Sequence, residues 1–468
     1  MLFSSMTFLF VFMPLVMAVY FLSKKEIRNY VLLIASIIFY AWGEPRYLAI
    51  MIITILVNYA GAILLDKHYS SRQRLWIVSL TIVFDLSFLF YFKYFNFVVD
   101  NINGVLATDF QLLDVIMPIG ISFYTFQAMS YLIDVYRREV PAQKDVYKLA
   151  LYIVLFPQLV AGPIVKYHDV CEQIDNRTIE FKNVIIGFKR FITGLAKKVL
   201  IANTLAEVVD KIFAQAPENL TTGVSWLGAV AYCLQLYYDF SGYSDMAIGL
   251  GLMFGFRFLE NFNYPYISKS ITEFWRRWHI SLATWFKLYL YIPLGGNRKG
   301  AVRTYWNLFA VFLVTGIWHG AAWSYVAWGI WNGIFIVIER FFGLDKDKND
   351  RWYVSAAKHV YAFFAIVWGM IIFRAESLSY AYEYICRMLH IDVTKHLPDY
   401  DYGVNNKFAI MLIVGLICAM PVCRNLIYIK YEHKVQRTLV NIWLFLLFFW
   451  STISLAASTY NPFIYFRF

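Results

Sequence analysis

Apolar runs long enough to cross a lipid bilayer recur from Ser5 to the end of this chain, and no other feature restricts its fold so strongly. Hydrocarbon offers no water to an open backbone, so a crossing segment must satisfy its own N–H and C=O groups. A helix of roughly 20 residues does so. The runs predict about ten to twelve crossings, with re-entrant or interfacial helices between them, in an all-α polytopic membrane protein. Composition agrees: 60% of the 468 residues are hydrophobic, 20% aromatic and 16% charged, against about 25% charged in soluble domains. Phe3 to Leu22 lacks a basic start and a small-residue cleavage site, so it reads as the first spanning helix. With no internal repeat or appended soluble module, residues 1–468 read as one membrane domain, with a catalytic core at about 112–340 and a tail at 459–468.

The net charge of +11 does not point to nucleic acid, because the basic residues lie in short connections between apolar runs. There they set orientation. Lys24, Lys25 and Arg28 follow the first run, and Lys67, Arg72 and Arg74 follow the third, which places both loops in the cytoplasm and the N-terminus outside. Arg137, Arg138 and Lys144 mark a further cytoplasmic loop. Arg424, Lys430, Lys434 and Arg437 precede the last run, Leu439 to Ala457, so the closing residues TYNPFIYFRF are expected outside. Val184 to Leu205 and Ser270 to Leu294 mix charge with apolar residues and read as interfacial or re-entrant. The five cysteines, 171, 233, 386, 418 and 423, form no CxxC pair and suggest neither a disulfide scaffold nor a metal site.

Ionisable groups inside a membrane segment cost several kcal/mol unless paired or wetted, so they mark functional candidates. Three places qualify: Asp239 and Asp245 in QLYYDFSGYSDMAIGLG, the stretch from Ile271 to Gly300, and His319 in VTGIWHGAAW. The aspartates read equally well as interhelical hydrogen-bonding residues. Arg276, Arg277 and Lys287 either snorkel to lipid phosphates or meet an anionic donor. The pairs Lys189/Arg190 and Lys197/Lys198 either steer phosphates or form a solvated face. His319 has a structural reading beside the catalytic one. GLGLMFG lacks the spacing of a dinucleotide fingerprint, and His396 with Asp401 matches an acyltransferase HxxxxD pattern only in a charged loop.

YYDFSGYSDMAIGLGLMFGFRFLENFNYPY, SITEFWRRWHISLATWF, YLYIPLGGNRKG and GIWHGAAW closely resemble the membrane-bound O-acyltransferase (MBOAT) family. The bacterial subgroup that O-acetylates alginate, peptidoglycan and other envelope polysaccharides is the nearest in pattern. The resemblance implies a helical ring around a thin centre crossed by a tunnel, with His319 as catalytic histidine and His279 as its companion. It also implies that Tyr465 in FIYFRF accepts the acyl group. Where the subgroup usually carries Arg-Asp, this chain has Lys287 and Leu288. Asp239, Asp245, Trp318, Trp275, Arg276 and Asn263 are the expected tunnel or substrate residues. Imidazole titrates nearest neutrality, so His319 suits a general base. The donor implied is acetyl-CoA, with no permanently bound cofactor, and Gly316, Gly320, Ala321 and Ala322 would leave room for reactants. Trp318 and Trp323 would exclude water. The partners implied are membrane lipid, an extracytoplasmic SGNH-hydrolase-like acetyltransferase and a polysaccharide acceptor, at the bacterial plasma membrane. Two alternatives stay open: transfer of D-alanyl or a longer acyl group from a carrier protein, and a membrane transporter, which would show paired broken helices in two halves.

Overall fold

The computed structural model describes residues 1–67, 70–344, 351–390, 400–423, 434–458 and 460–462. Every regular element among them is a helix, and the chain forms two compact units: Met1–Phe191 with Ser244–Leu259, and Ile192–Tyr243 with Glu260–Phe468.

The first unit is built from α1 (Met13–Leu22), α2 (Arg28–Ala41), α3 (Leu48–Asp66), α4 (Ser71–Leu89), α5 (Phe95–Leu106), α6 (Ile121–Arg137), α7 (Val146–Val154), the single turn α8 (Phe156–Leu159), α9 (Tyr167–Asn176) and most of α10 (Phe181–Ala196). Its core is aromatic: Phe39 and Phe156 pack with centroids 5.6 Å apart, and Phe12 meets Phe156 edge-on at 5.5 Å. Arg74, counted above for orientation, is buried and donates to the carbonyls of Leu65 and Tyr136, satisfying the open ends of α3 and α6.

The second unit holds α11 (Asn203–Phe213), most of α12 (Thr222–Met253), α13 (Ile271–Arg277), α14 (Ile280–Phe286), α15 (Ala301–His319), α16 (Trp323–Phe342), α17 (Trp352–Arg374), α18 (Leu378–Leu389), α19 (Asn406–Cys418) and α20 (Lys434–Ala457). The expected re-entrant stretch is here. Ser270 to Leu294 is broken into α13, α14 and a π-helical turn, Lys287–Tyr291, and a second π turn, Lys197–Ala202, leads into α11. Such widened turns concentrate at functional positions.

Among the described residues, Pro45–Asp66, Ser71–Leu106, Trp352–Arg374 and Val435–Ala457 are long and apolar enough to cross a bilayer as single helices. Phe8–Leu22, Arg28–Ala41 and Asn406–Cys418 are apolar but shorter. The 32 residues of α12, 19 of α15 and 20 of α16 have the length, but their Trp, Tyr, Gly and Asp content lowers the hydropathy that marks a simple span. Only 6% of the Val435–Ala457 window is buried, so Leu439, Ile442, Phe445, Leu446 and Phe449 lie where only lipid would cover them.

Candidate active site

The site grows from the contact between α15 and α16. A Cβ on Gly316 would stand 2.4 Å from the carbonyl oxygen of Tyr325, and one on Gly329 would stand 2.6 Å from that of Phe312. Only two glycines permit backbones to approach so closely. A Cβ on Gly320 would run into the Tyr325 ring at 2.1 Å. Gly316 is therefore occupied by packing against α16, which corrects the expectation from sequence for that residue, whereas Gly320, Ala321 and Ala322 border open space in a large cavity.

This packing fixes His319 as the last residue of α15, 7% exposed. Its ring lies between Trp318, Trp328 and Phe373, at centroid distances of 4.9, 5.0 and 5.2 Å. Trp328 and Phe373 are the shield expected of Trp323, which is 56% exposed.

His279 precedes α14 in a left-handed conformation, φ 45° and ψ 52°, which non-glycine residues adopt rarely and at a cost of order 1–3 kcal/mol. It is wholly buried, with Nδ1 3.2 Å from Oδ1 of Asn261. The same oxygen accepts from the backbone N–H of Ser281 at 3.2 Å and from its hydroxyl at 2.9 Å. A backbone N–H only donates, so the asparagine presents its carbonyl here and Nδ1 must carry the proton. Nε2 of the neutral ring is then a lone pair, and it meets no hydrogen-bonding partner among the described residues. Both histidine rings lie near Trp318, whose ring is 6.4 Å from that of His279 and 4.9 Å from that of His319.

Three spaces lie in this part of the unit. A void of about 20 Å³ touches His319 and is lined by Leu236, Phe240, Trp278, Trp328, Met370 and Phe373. A cavity of about 440 Å³ is lined by Trp275, Arg276, Lys287, Thr315 and Arg340 among others, so three cations face it. A cavity of about 620 Å³ is lined by Gly320, Tyr325, Phe373, Arg374, Asp210 and Glu376 among others. Phe373 borders both the void and the larger cavity, while Trp328, on the void, packs 5.6 Å from Trp275, on the cationic cavity. His319 thus lines a void that shares Phe373 with the chamber of mixed charge and packs through Trp328 against the wall of the cationic one.

The remaining candidates divide. Trp275 donates to Oδ1 of Asn332 at 3.0 Å, and Arg276 is exposed on the cationic cavity. Asn263 is exposed, and its backbone pairs with that of Arg277, so Asn261, two residues earlier, is the asparagine that touches a histidine. Asp239 pairs with Lys198 at 2.5 Å in the second unit, and Asp245 with Arg190 at 2.8 Å in the first. Lys198 and Arg190 are therefore engaged with carboxylates and are not a phosphate-steering face. Asp401 accepts from its neighbour Gly403, while Tyr465 and His396 lie outside the described residues.

Residues 37–375 match the model of the membrane-bound O-acyltransferase family, a span that includes both histidines and the cationic cavity. The chain belongs to the membrane-bound O-acyltransferase family. It is accordingly an enzyme of acyl transfer in a membrane. Across its full length it is 42% identical to the probable alginate O-acetylase AlgI of Pseudomonas putida, of which it covers 100%. It is 32% identical to the peptidoglycan O-acetyltransferase of Helicobacter pylori, over 93% of this chain and 89% of that one. The teichoic acid D-alanyltransferase of Bacillus subtilis is 28% identical over 55% of this chain and 69% of its own. Within this O-acyltransferase, Asn261 and Phe373 are the site residues that sequence reading missed. Asn261 sits in the same LENFNYPY stretch as Asn263, whereas Phe373 reaches His319 from α17 and leaves no local trace.

Proposed function

We propose that this acyltransferase moves an acetyl group from cytosolic acetyl-CoA to a hydroxyl on the far side of the bacterial plasma membrane, for O-acetylation of an envelope polysaccharide. The observation that carries this reading is that the void at His319 is walled by Phe373, which also lines the chamber of mixed charge, and by Trp328, which packs on Trp275 of the cationic chamber. Arg298, Lys299 and Arg303 precede or open α15, and Arg340 closes α16, which favours a cytoplasmic location for that end. The cationic cavity is lined from the same end by Tyr291, Asn297 and Arg340, and its charge suits the phosphates of CoA. The cavity beside Gly320 then faces outward, where both termini are expected.

His319 takes the proton of the acceptor hydroxyl, the oxygen attacks the thioester carbonyl, the C–S bond breaks, and the proton passes to the departing thiolate. Positive charge that develops on the ring stands at the carbonyl end of α15, where the helix dipole favours it. His279, fixed through Nδ1, positions groups through Nε2. The acceptor is the phenol of Tyr465. The acetyl group then leaves this ester for a serine of an extracytoplasmic SGNH-hydrolase-like partner or for the polysaccharide. Acetyl is favoured over D-alanyl as cargo by the higher identity to the acetylases.

The test is intact mass and C-terminal peptide mapping of wild type, His319→Ala and Tyr465→Phe after incubation with labelled acetyl-CoA. Label on Tyr465 that disappears in both variants is expected. Full labelling of His319→Ala would remove the histidine as base, and undiminished polymer acetylation by Tyr465→Phe would remove the tyrosine.

A further inference from the structure

The last described residues make three consecutive contacts along one helical segment of the second unit. The hydroxyl of Tyr460 donates to Oδ2 of Asp210 at 2.6 Å, Asn203 donates to Oδ1 of Asn461 at 3.1 Å, and the Lys198 ammonium donates to the carbonyl of Pro462. The partners descend from 210 to 198 as the tail ascends from 460 to 462, so the tail runs antiparallel to α11 and the π turn before it. It starts at the large cavity, which Asp210 lines. It ends at Lys198, which also pairs with Asp239, the neighbour of Phe240 on the His319 void.

Two of the three anchors are themselves fixed. Arg374 holds Oδ1 of Asp210 at 3.0 Å and turns Oδ2 toward the tyrosine. The side chains of Lys198 and Asp239 are each 3% exposed. Burying such a pair is costly unless donors and acceptors beyond the pair are met, and an ammonium has three N–H groups to place. The Pro462 carbonyl meets one. The dock is thus part of how the buried lysine is tolerated.

We infer that Lys198, Asn203 and Asp210 are positioning residues that fix the register of the C-terminal tail, and with it the reach of the hydroxyl three residues beyond Pro462. What the dock serves rests on the acyl-tyrosine reading; the dock itself does not. Three residues past Pro462 extend at most about 10 Å, so a slip of one residue moves the acceptor by a third of its reach.

The experiment uses the full chain in detergent and two readouts: release of C-terminal residues by a carboxypeptidase, and acetylation of the tail from labelled acetyl-CoA. Tyr460→Phe combined with Asn461→Ala removes two anchors on the tail side and leaves the helices untouched. Release is expected to rise and acetylation to fall about tenfold, as befits two lost hydrogen bonds. An alanine inserted after Pro462 keeps the anchors and shifts the register, so release should stay at the wild-type rate while acetylation collapses. Lys198→Arg should retain more acetylation than Lys198→Met. Unchanged release in the double variant, or full acetylation with the insertion, overturns the inference. Faster release in the double variant, with no tail acetylation even in wild type, supports the dock and rejects the tyrosine relay.

Discussion

Asp239 and Asp245 lie on one helix, each held by a base from residues 190–198, yet the two pairs differ in kind. Arg190 brings two nitrogens to the same oxygen of Asp245, at 3.0 and 2.8 Å. Its planar fork is committed to the acid. Lys198 is a compact charge with donors in several directions, and it joins its acid to the carbonyl of Pro462. The first pair ties α10 to α12 inside the first unit, and the second ties α12 to the tail inside the second. An acid in an apolar helix is therefore not one signal: one of these bases joins its acid within a helix pair, and the other joins its acid to the tail.

That contrast can be broken most sharply at Asp239. Removing its carboxylate in Asp239→Ala strands a buried ammonium and should cost about 3–5 kcal/mol, read as a lower unfolding temperature in detergent. Adding Lys198→Met should restore most of that stability without restoring tail acetylation; recovery of both would make the lysine a purely structural partner. A smaller effect is expected at the other pair. Arg190→Lys keeps the charge and loses the fork, which should cost about 1 kcal/mol and leave tail acetylation at the wild-type rate. A fall in acetylation with Arg190→Lys would mean that both pairs serve the tail. Smallest of all, Asn461→Ala should change the unfolding free energy by no more than about 0.5 kcal/mol, while tail acetylation drops measurably. Equal acetylation would leave Asn203 out of the dock.

The class of fold was legible because the bilayer demands long apolar helices, and His319 was legible because a polar ring in such a helix needs a reason. Local pattern did not reveal how the small residues around it are used. Gly316 and Gly320 look alike in sequence, and only the packing of Gly329 and the Tyr325 backbone shows that Gly316 is filled while Gly320 borders a cavity. Nor did it reveal the breaks: a left-handed His279 and a π turn at Lys287–Tyr291 place side chains that an unbroken helix would aim elsewhere. Averaged hydropathy also sets α15 and α16 apart from the simple spans, because tryptophan, tyrosine and glycine recur along them. Contacts such as Phe373 on His319 and Pro462 on Lys198 join residues far apart in the chain, and no reading of neighbours along it supplies them.

The anchored Pro462 carbonyl also fixes a concentration. A hydroxyl tethered within about 10 Å of its anchor explores a volume equivalent to roughly 0.4 M. On the acyl-tyrosine proposal, a hydroxyl arriving from solution would compete against that figure at every turnover, so a preference for the tail would follow from chain length and one hydrogen bond, before any difference in reactivity is invoked.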